Sequence, residues 1–207
     1  MINLRQSALL VLSCLAIAAL GAPAAAKTVT MTDTDIALGN PKAKVTVVEY
    51  ASLSCSHCAH FNTDVFPAFK AKYIDTGKVR YVFREFLTEP VQVAAAGFLT
   101  ARCAGKQNYF KVVDGVFRSQ AEIFATRDLG PSLTRIAKSV GIDEDGLKAC
   151  LSDDKALKAL SDRVARFSKE ADITSTPTFV VNGNKLKGGH TLEDLDTAIA
   201  EAKKAPK

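Results

Sequence analysis

Two thiols separated by two residues, in Cys55-Ser56-His57-Cys58, carry the clearest chemistry in the chain. Upstream, Val45–Tyr50 is β-branched and apolar on both faces, the pattern of a buried central strand. From Cys58 onward, Phe61, Val65, Phe66, Phe69 and Tyr73 recur at helical spacing. The pair therefore opens a helix directly after a strand. At that end, unpaired N–H groups and the positive end of the dipole stabilise an anion. A thiol there falls from its free pKa of roughly 8.5 into the range of ~3.5–7.5. A protonated His57 would add positive charge, and Ser56 a hydroxyl donor. Stabilising the thiolate stabilises the reduced form, which makes the disulfide a stronger oxidant. Cys55 is then the sulfur attacked and the better leaving group, with Cys58 resolving the mixed disulfide. Three other readings compete, of which a pair of buried inert thiols fits poorly in an exported chain. A structural disulfide within one turn would remove little chain entropy. Copper(I) could use Cys55, His57, Cys58 and His60, whereas finger-type zinc lacks a second ligand pair.

Three further features belong to the same chemistry. Glu49 is a carboxylate in an otherwise apolar strand, six positions before Cys55. It is either a buried acid of raised pKa that moves protons to and from Cys58, or an edge residue that turns to solvent or pairs with a lysine. Thr176-Pro177 precedes a strand, and periodicity alone leaves its peptide bond trans or cis. Cys103 and Cys150 lie far apart; in an exported chain they read as a structural or tuning disulfide, and otherwise as two free buried thiols. His190 reads as a surface loop residue.

The elements that must position these residues follow from the patterning. Val79–Phe83 is a second strand, giving a β-α-β unit with a parallel pair. Pro67 lies inside the intervening helix and should kink it. Pro90–Ala104, Gln107–Phe117, Pro131–Val140 and Glu144–Leu151 are helical in period, and a longer helix spans about 155–171 with Leu157, Leu160, Val164 and Phe167 inward. Thr178–Val181 is a strand, Asn182-Gly183 a hairpin turn and Lys185-Leu186-Lys187 a return strand. Thr191-Leu192-Glu193-Asp194 caps a final helix. The fold class is α/β, with a helical insertion at about 88–152 splitting a small sheet domain.

Of the 207 residues, 47% are apolar and 24% charged, an ordinary globular composition, and a net charge of +5 without long basic runs gives no reason to expect nucleic acid as a partner. Residues 1–26 read as a signal peptide: Arg5 supplies the positive region, Ala8–Leu20 the apolar stretch and Ala24-Ala25-Ala26 the cleavage site. Cys14 leaves with it, so four of the five cysteines remain, an even number outside the cytosol. Residues 27–40 are polar and read as a loose N-terminal arm.

The run Glu49-Tyr50-Ala51-Ser52-Leu53-Ser54-Cys55-Ser56-His57-Cys58, with Thr176-Pro177 ahead of the late strand, resembles the DsbA-type thiol–disulfide oxidoreductases. The likeness covers about residues 40 to 207. It implies a thioredoxin fold with a helical insertion domain, a periplasmic enzyme needing no cofactor or metal, and Cys55 as nucleophile with Cys58 as its partner. It also implies that Pro177 is a cis-proline facing both sulfurs, that Thr176 and Ser56 contact bound peptide, and that Glu49 is the buried acid. Substrates would be reduced or misoxidised unfolded proteins, and a membrane redox partner would reset the pair. Two departures bear on direction: well-known oxidases of the family carry proline at the position of Ser56 and valine at that of Thr176. Threonine there is typical of isomerase and reductase branches. The absence of a long N-terminal dimerisation segment favours a monomeric oxidase.

Overall fold

The computed structural model describes residues 29–186 and 190–204. The signal-peptide reading, residues 27 and 28 of the arm, and Lys187 to Gly189 fall outside them. A five-stranded sheet in the order β1-β3-β2-β4-β5 forms the centre. Strand β2 (Val45–Ala51) occupies the middle position and runs parallel to β3 (Val79–Glu85), as a β-α-β unit requires. Strands β1 (Ile36–Gly39), β4 (Thr178–Val181) and β5 (Asn184–Lys185) pair antiparallel. Asn182 and Gly183 turn the last hairpin, both with positive φ, 46° and 87°.

The described part of the polar stretch before residue 40 is not loose. Ile36–Gly39 adds an antiparallel edge to β3, and the segment ahead of it is held by a buried cation. Arg84 has no exposed surface and donates to Asp35 (3.0 Å to each oxygen), Glu170 (3.1 Å), the Tyr50 hydroxyl (3.1 Å) and the Thr30 carbonyl (2.6 Å). A guanidinium taken out of water must have such partners. Composition alone hides this, because Asp35, Arg84 and Glu170 each read separately as surface.

Alternation along the strands sorts side chains to two faces. Val48, Tyr50, Val82 and Val180 meet Phe167, Ala171 and Ile173 on one. Val45, Val47, Val79, Tyr81, Phe83 and Phe179 meet the larger helical core on the other. Each fully buried aliphatic side chain contributes roughly 1.5–3 kcal/mol.

The helix after the motif is segmented. Helix α1 (Ser56–His60) passes into a π-helical turn at Phe61–Val65, then α2 (Phe66–Phe69) and a second π turn at Lys70–Ile74. Pro67 sits at the start of α2, after the first π turn has absorbed its missing donor; the expected kink takes this form. Helices α3 (Val91–Cys103), α4 (Gly105–Thr126), α5 (Gly130–Ser139) and α6 (Glu144–Leu151) follow β3. Helix α4 runs nine residues past the end read from periodicity, because the polar run Arg118-Ser119-Gln120 is tolerated: Gln120 is buried and uses its amide (below). Along α7 (Asp154–Ala171), Leu160 and Phe167 are buried, but Leu157 in the first turn is 45% exposed. Helix α8 (Leu192–Lys204) opens with the expected reciprocal cap between Thr191 and Asp194.

Candidate active site

Strand β2 ends at Ala51, and a buried loop, Ser52-Leu53-Ser54, carries the chain to Cys55. This loop is fixed from several directions. The Cys55 N–H bonds the Ser52 carbonyl (3.0 Å), closing a turn. The Ser54 hydroxyl donates to the Thr88 carbonyl (2.7 Å), and the Thr88 N–H to the Ser52 hydroxyl (3.1 Å). From α4, the Gln120 amide donates to the carbonyls of Leu53 (2.8 Å) and Cys55 (3.2 Å). Gly97 of α3 lets that helix lie on Leu53: a Cβ there would come within 2.6 Å of the Leu53 Cδ1.

So held, Cys55 is the N-cap of α1, with extended φ and ψ of −86° and 120°. Its Sγ accepts the Cys58 N–H at 3.4 Å, taking the place a serine or aspartate oxygen usually fills. Both cysteines are free thiols; Cys55 is half-buried and Cys58 fully buried. The Cys55 pKa is lowered to about 5. The Cys58 thiol donating to it is the largest cause; the Thr176 side chain and the N–H groups of Cys58 and His57 add to this against the opposing effect of burial. Burial, in contrast, drives the Cys58 thiol strongly upward. Two sulfurs one turn apart are thereby made unequal, one an anion at neutral pH and the other a thiol. His57 supports the anion through its backbone N–H, while its ring is exposed.

The Thr176–Pro177 bond is cis. In the thiol form, Cys55 Sγ–H donates to the Thr176 carbonyl at 3.3 Å, bringing the loop before β4 against the reactive sulfur. Ser56 is exposed at the mouth of the site. Glu49 is 2% exposed in the central strand, so the edge-residue reading does not hold. Its hydroxyl partner is Tyr81, and burial raises its pKa from 4.5 to about 8. Away from this site, Cys103 and Cys150 form a disulfide joining α3 to α6, with Cα atoms 5.9 Å apart.

His60 does not turn toward the thiols: its Nδ1 lies 2.6 Å from Asp64. Among the described residues, no three His, Cys, Asp or Glu side chains are placed to share a metal ion. His190 is not a free surface residue. It is half-buried, with its ring 5.7 Å from that of Phe179 and facing the Pro177 carbonyl beside the cis bond.

Tyr81, Gln120 and His190 are the site neighbours that sequence reading missed. For Gln120 a signal existed, since it shares the helical stripe of Val113, Val116, Phe117 and Ile123. Tyr81 follows from strand register, which one sequence does not supply.

A thiolate cap, a second and buried thiol, a buried acid and a cis-proline loop form an arrangement suited to thiol–disulfide exchange, on a thioredoxin fold. Comparison with known proteins agrees. The thioredoxin family model matches residues 31–201. A Rickettsia conorii protein, assigned by name as a protein-disulfide oxidoreductase, is 36% identical over 82% of this chain and 61% of its own length. The chain thus spans about three-fifths of that relative. The crystal structure of Wolbachia pipientis alpha-DsbA1 superposes with a TM-score of 0.74 at 30% identity, over 83% of this chain and 92% of that one. A protein-disulfide isomerase from Novosphingobium aromaticivorans shares the fold, with a TM-score of 0.70 at 24% identity over 84% and 100% of the two chains. The chain belongs to the thioredoxin family and, within it, to the DsbA-type thiol:disulfide oxidoreductases.

Proposed function

We propose that the protein is an exported, periplasmic thiol:disulfide oxidoreductase that acts, as a monomer, as a dithiol oxidase on reduced, unfolded proteins. The observation that carries this reading is Cys55 Sγ capping α1 with its pKa lowered to about 5. A stabilised thiolate makes the Cys55–Cys58 disulfide easy to reduce and so a strong oxidant.

In the forward direction a substrate thiolate attacks Cys55 Sγ and forms a mixed disulfide. Cys58 leaves as a thiolate and takes a proton from Glu49. A second substrate thiolate then attacks the substrate sulfur of the mixed disulfide and expels the Cys55 thiolate. The substrate has lost two electrons to the pair and gained a disulfide. A membrane redox partner that accepts those electrons restores the Cys55–Cys58 bond. Thr176 and Pro177, lying against Cys55, give an extended peptide backbone something to pair with, and Ser56 borders the entrance. Export is supported by the leader-like composition of residues 1–26 and by the Cys103–Cys150 bridge, since disulfides persist in oxidising compartments.

The reduction potential against glutathione tests the direction. The expected value lies well above that of thioredoxin, about −270 mV, and toward that of the strongest oxidants, about −120 mV. A value at the thioredoxin end contradicts the oxidase reading. Thr176 against Cys55 favours a second reading, an isomerase or reductase kept reduced in the same compartment. Trapping the thiols in cells separates the two: an oxidase is recovered mainly as the disulfide, an isomerase mainly as the dithiol.

A further inference from the structure

The side chain facing Glu49 has no role in the mechanism so far. Tyr81 is 2% exposed and sits on β3, paired with Val47, so that Glu49 is its diagonal neighbour on the same face of the parallel pair. Its ring is fixed by Phe66, Phe69 and Phe110, with centroids 5.0, 6.1 and 6.0 Å away. Its hydroxyl donates to Glu49 Oε2. The titratable groups facing this pair are Cys58 from α1, Cys55 from the loop before it, and Tyr109 from α4 beyond Tyr81. Strands β3 and β4 offer Phe83 and Phe179 opposite Glu49, which are apolar. Among the described residues, no lysine or arginine pairs with Glu49.

We infer that Tyr81 is a positioning residue for proton transfer at Cys58, a neutral clamp that aims the Glu49 carboxylate and sets how readily it gives up its proton. The inference rests on the assignment of Glu49 as proton carrier. A buried carboxyl with no donor would hold its proton too tightly to accept one from Cys58. A cationic partner would keep it ionised and unable to donate. An uncharged hydroxyl bonded to the ionised form gives the intermediate case, in which Glu49 titrates near neutrality and can serve in both directions. When the pair is reoxidised through a mixed disulfide on Cys55, the Cys58 S–H passes its proton to Glu49. The Cys58 thiolate then attacks Cys55 Sγ, the Cys55–Cys58 bond forms, and the partner's thiolate leaves with the electron pair.

The test follows that resolving step in the full chain by rapid mixing of reduced protein with oxidised glutathione between pH 5 and 10, for wild type, Tyr81→Phe, Glu49→Gln and the double variant. Tyr81→Phe is expected to move the midpoint of the resolving rate upward by about one to two pH units and to slow it about tenfold at pH 7. The initial attack by Cys55 should be unchanged, and the double variant no slower than Glu49→Gln alone. An unmoved midpoint in Tyr81→Phe, or a loss that multiplies with that of Glu49→Gln, overturns the role of Tyr81 while leaving Glu49 in place. If Glu49→Gln itself leaves the pH dependence intact, Glu49 is not the carrier and both assignments fall. A readout on wild type covers a poorly folding variant: the Tyr81 ring carbon bearing the hydroxyl should shift in the NMR spectrum with the midpoint of the Glu49 carboxyl. Independent midpoints overturn the coupling.

Discussion

At the scale of single residues, the site works through contrast between neighbours. Cys55 and Cys58 are chemically identical in the unfolded chain, and the fold separates them by giving one sulfur donors and the other burial. The sequence pointed to this contrast through the unpaired N–H groups of a strand-to-helix junction; it did not supply the Cys58 thiol, the largest cause, and it added a His57 ring that is not among the causes. Glu49 has a stability consequence. Its folded pKa of about 8 lies above its ordinary 4.5, so the folded state holds the extra proton between those values. The penalty for ionising it is absent below pH 4.5, grows as pH rises and is complete above about 8. Glu49→Gln should therefore melt higher than wild type at pH 9, by an amount worth a few kcal/mol at most, and melt about the same at pH 4. Equal melting gains at both pH values would contradict the raised pKa.

Among the elements, the helical block does more than cover the sheet. Helix α4 reaches the redox loop through Gln120, and α3 lies on Leu53 by way of Gly97. Replacing Gln120 by Leu leaves the buried Leu53 carbonyl without a donor, whereas the Cys55 carbonyl keeps the Ala59 N–H, and should cost about 1–3 kcal/mol in urea unfolding. A change within experimental error would mean that the loop holds itself. Helix periods were readable because each amphipathic stripe is local. The polar buried residue that carries the contact broke the stripe and hid the last nine residues of α4. Strand β1 was unreadable for a related reason: its four residues gain their stability from pairing with β3 and from Arg84 holding Asp35, both set by chain segments far away.

Across the whole molecule, buried charge and one disulfide tie the layers together. Glu85 at the end of β3 is fully buried and binds Arg102 of α3 and Arg163 of α7, each at 2.6 Å, so one carboxylate joins three elements. Nothing in a sequence distinguishes these arginines from surface ones. The Cys103–Cys150 bridge closes a separation of 47 residues, and replacing both cysteines with alanine should lower stability by about 4 kcal/mol in the chain-entropy model. An unchanged unfolding midpoint would show that α3 and α6 hold each other without it. The other strands of the sheet, the helical block and the Cys55–Cys58 pair were legible because they rest on local patterning. The cross-layer ion network and the Tyr81–Glu49 contact were not, since they depend on tertiary register. The most direct measurement is the rate of Cys55 alkylation across a pH series, in the reduced protein with Cys58 intact. A midpoint near pH 5, several pH units below an ordinary thiol, is expected; a midpoint near 9 would mean the fold leaves this sulfur unactivated.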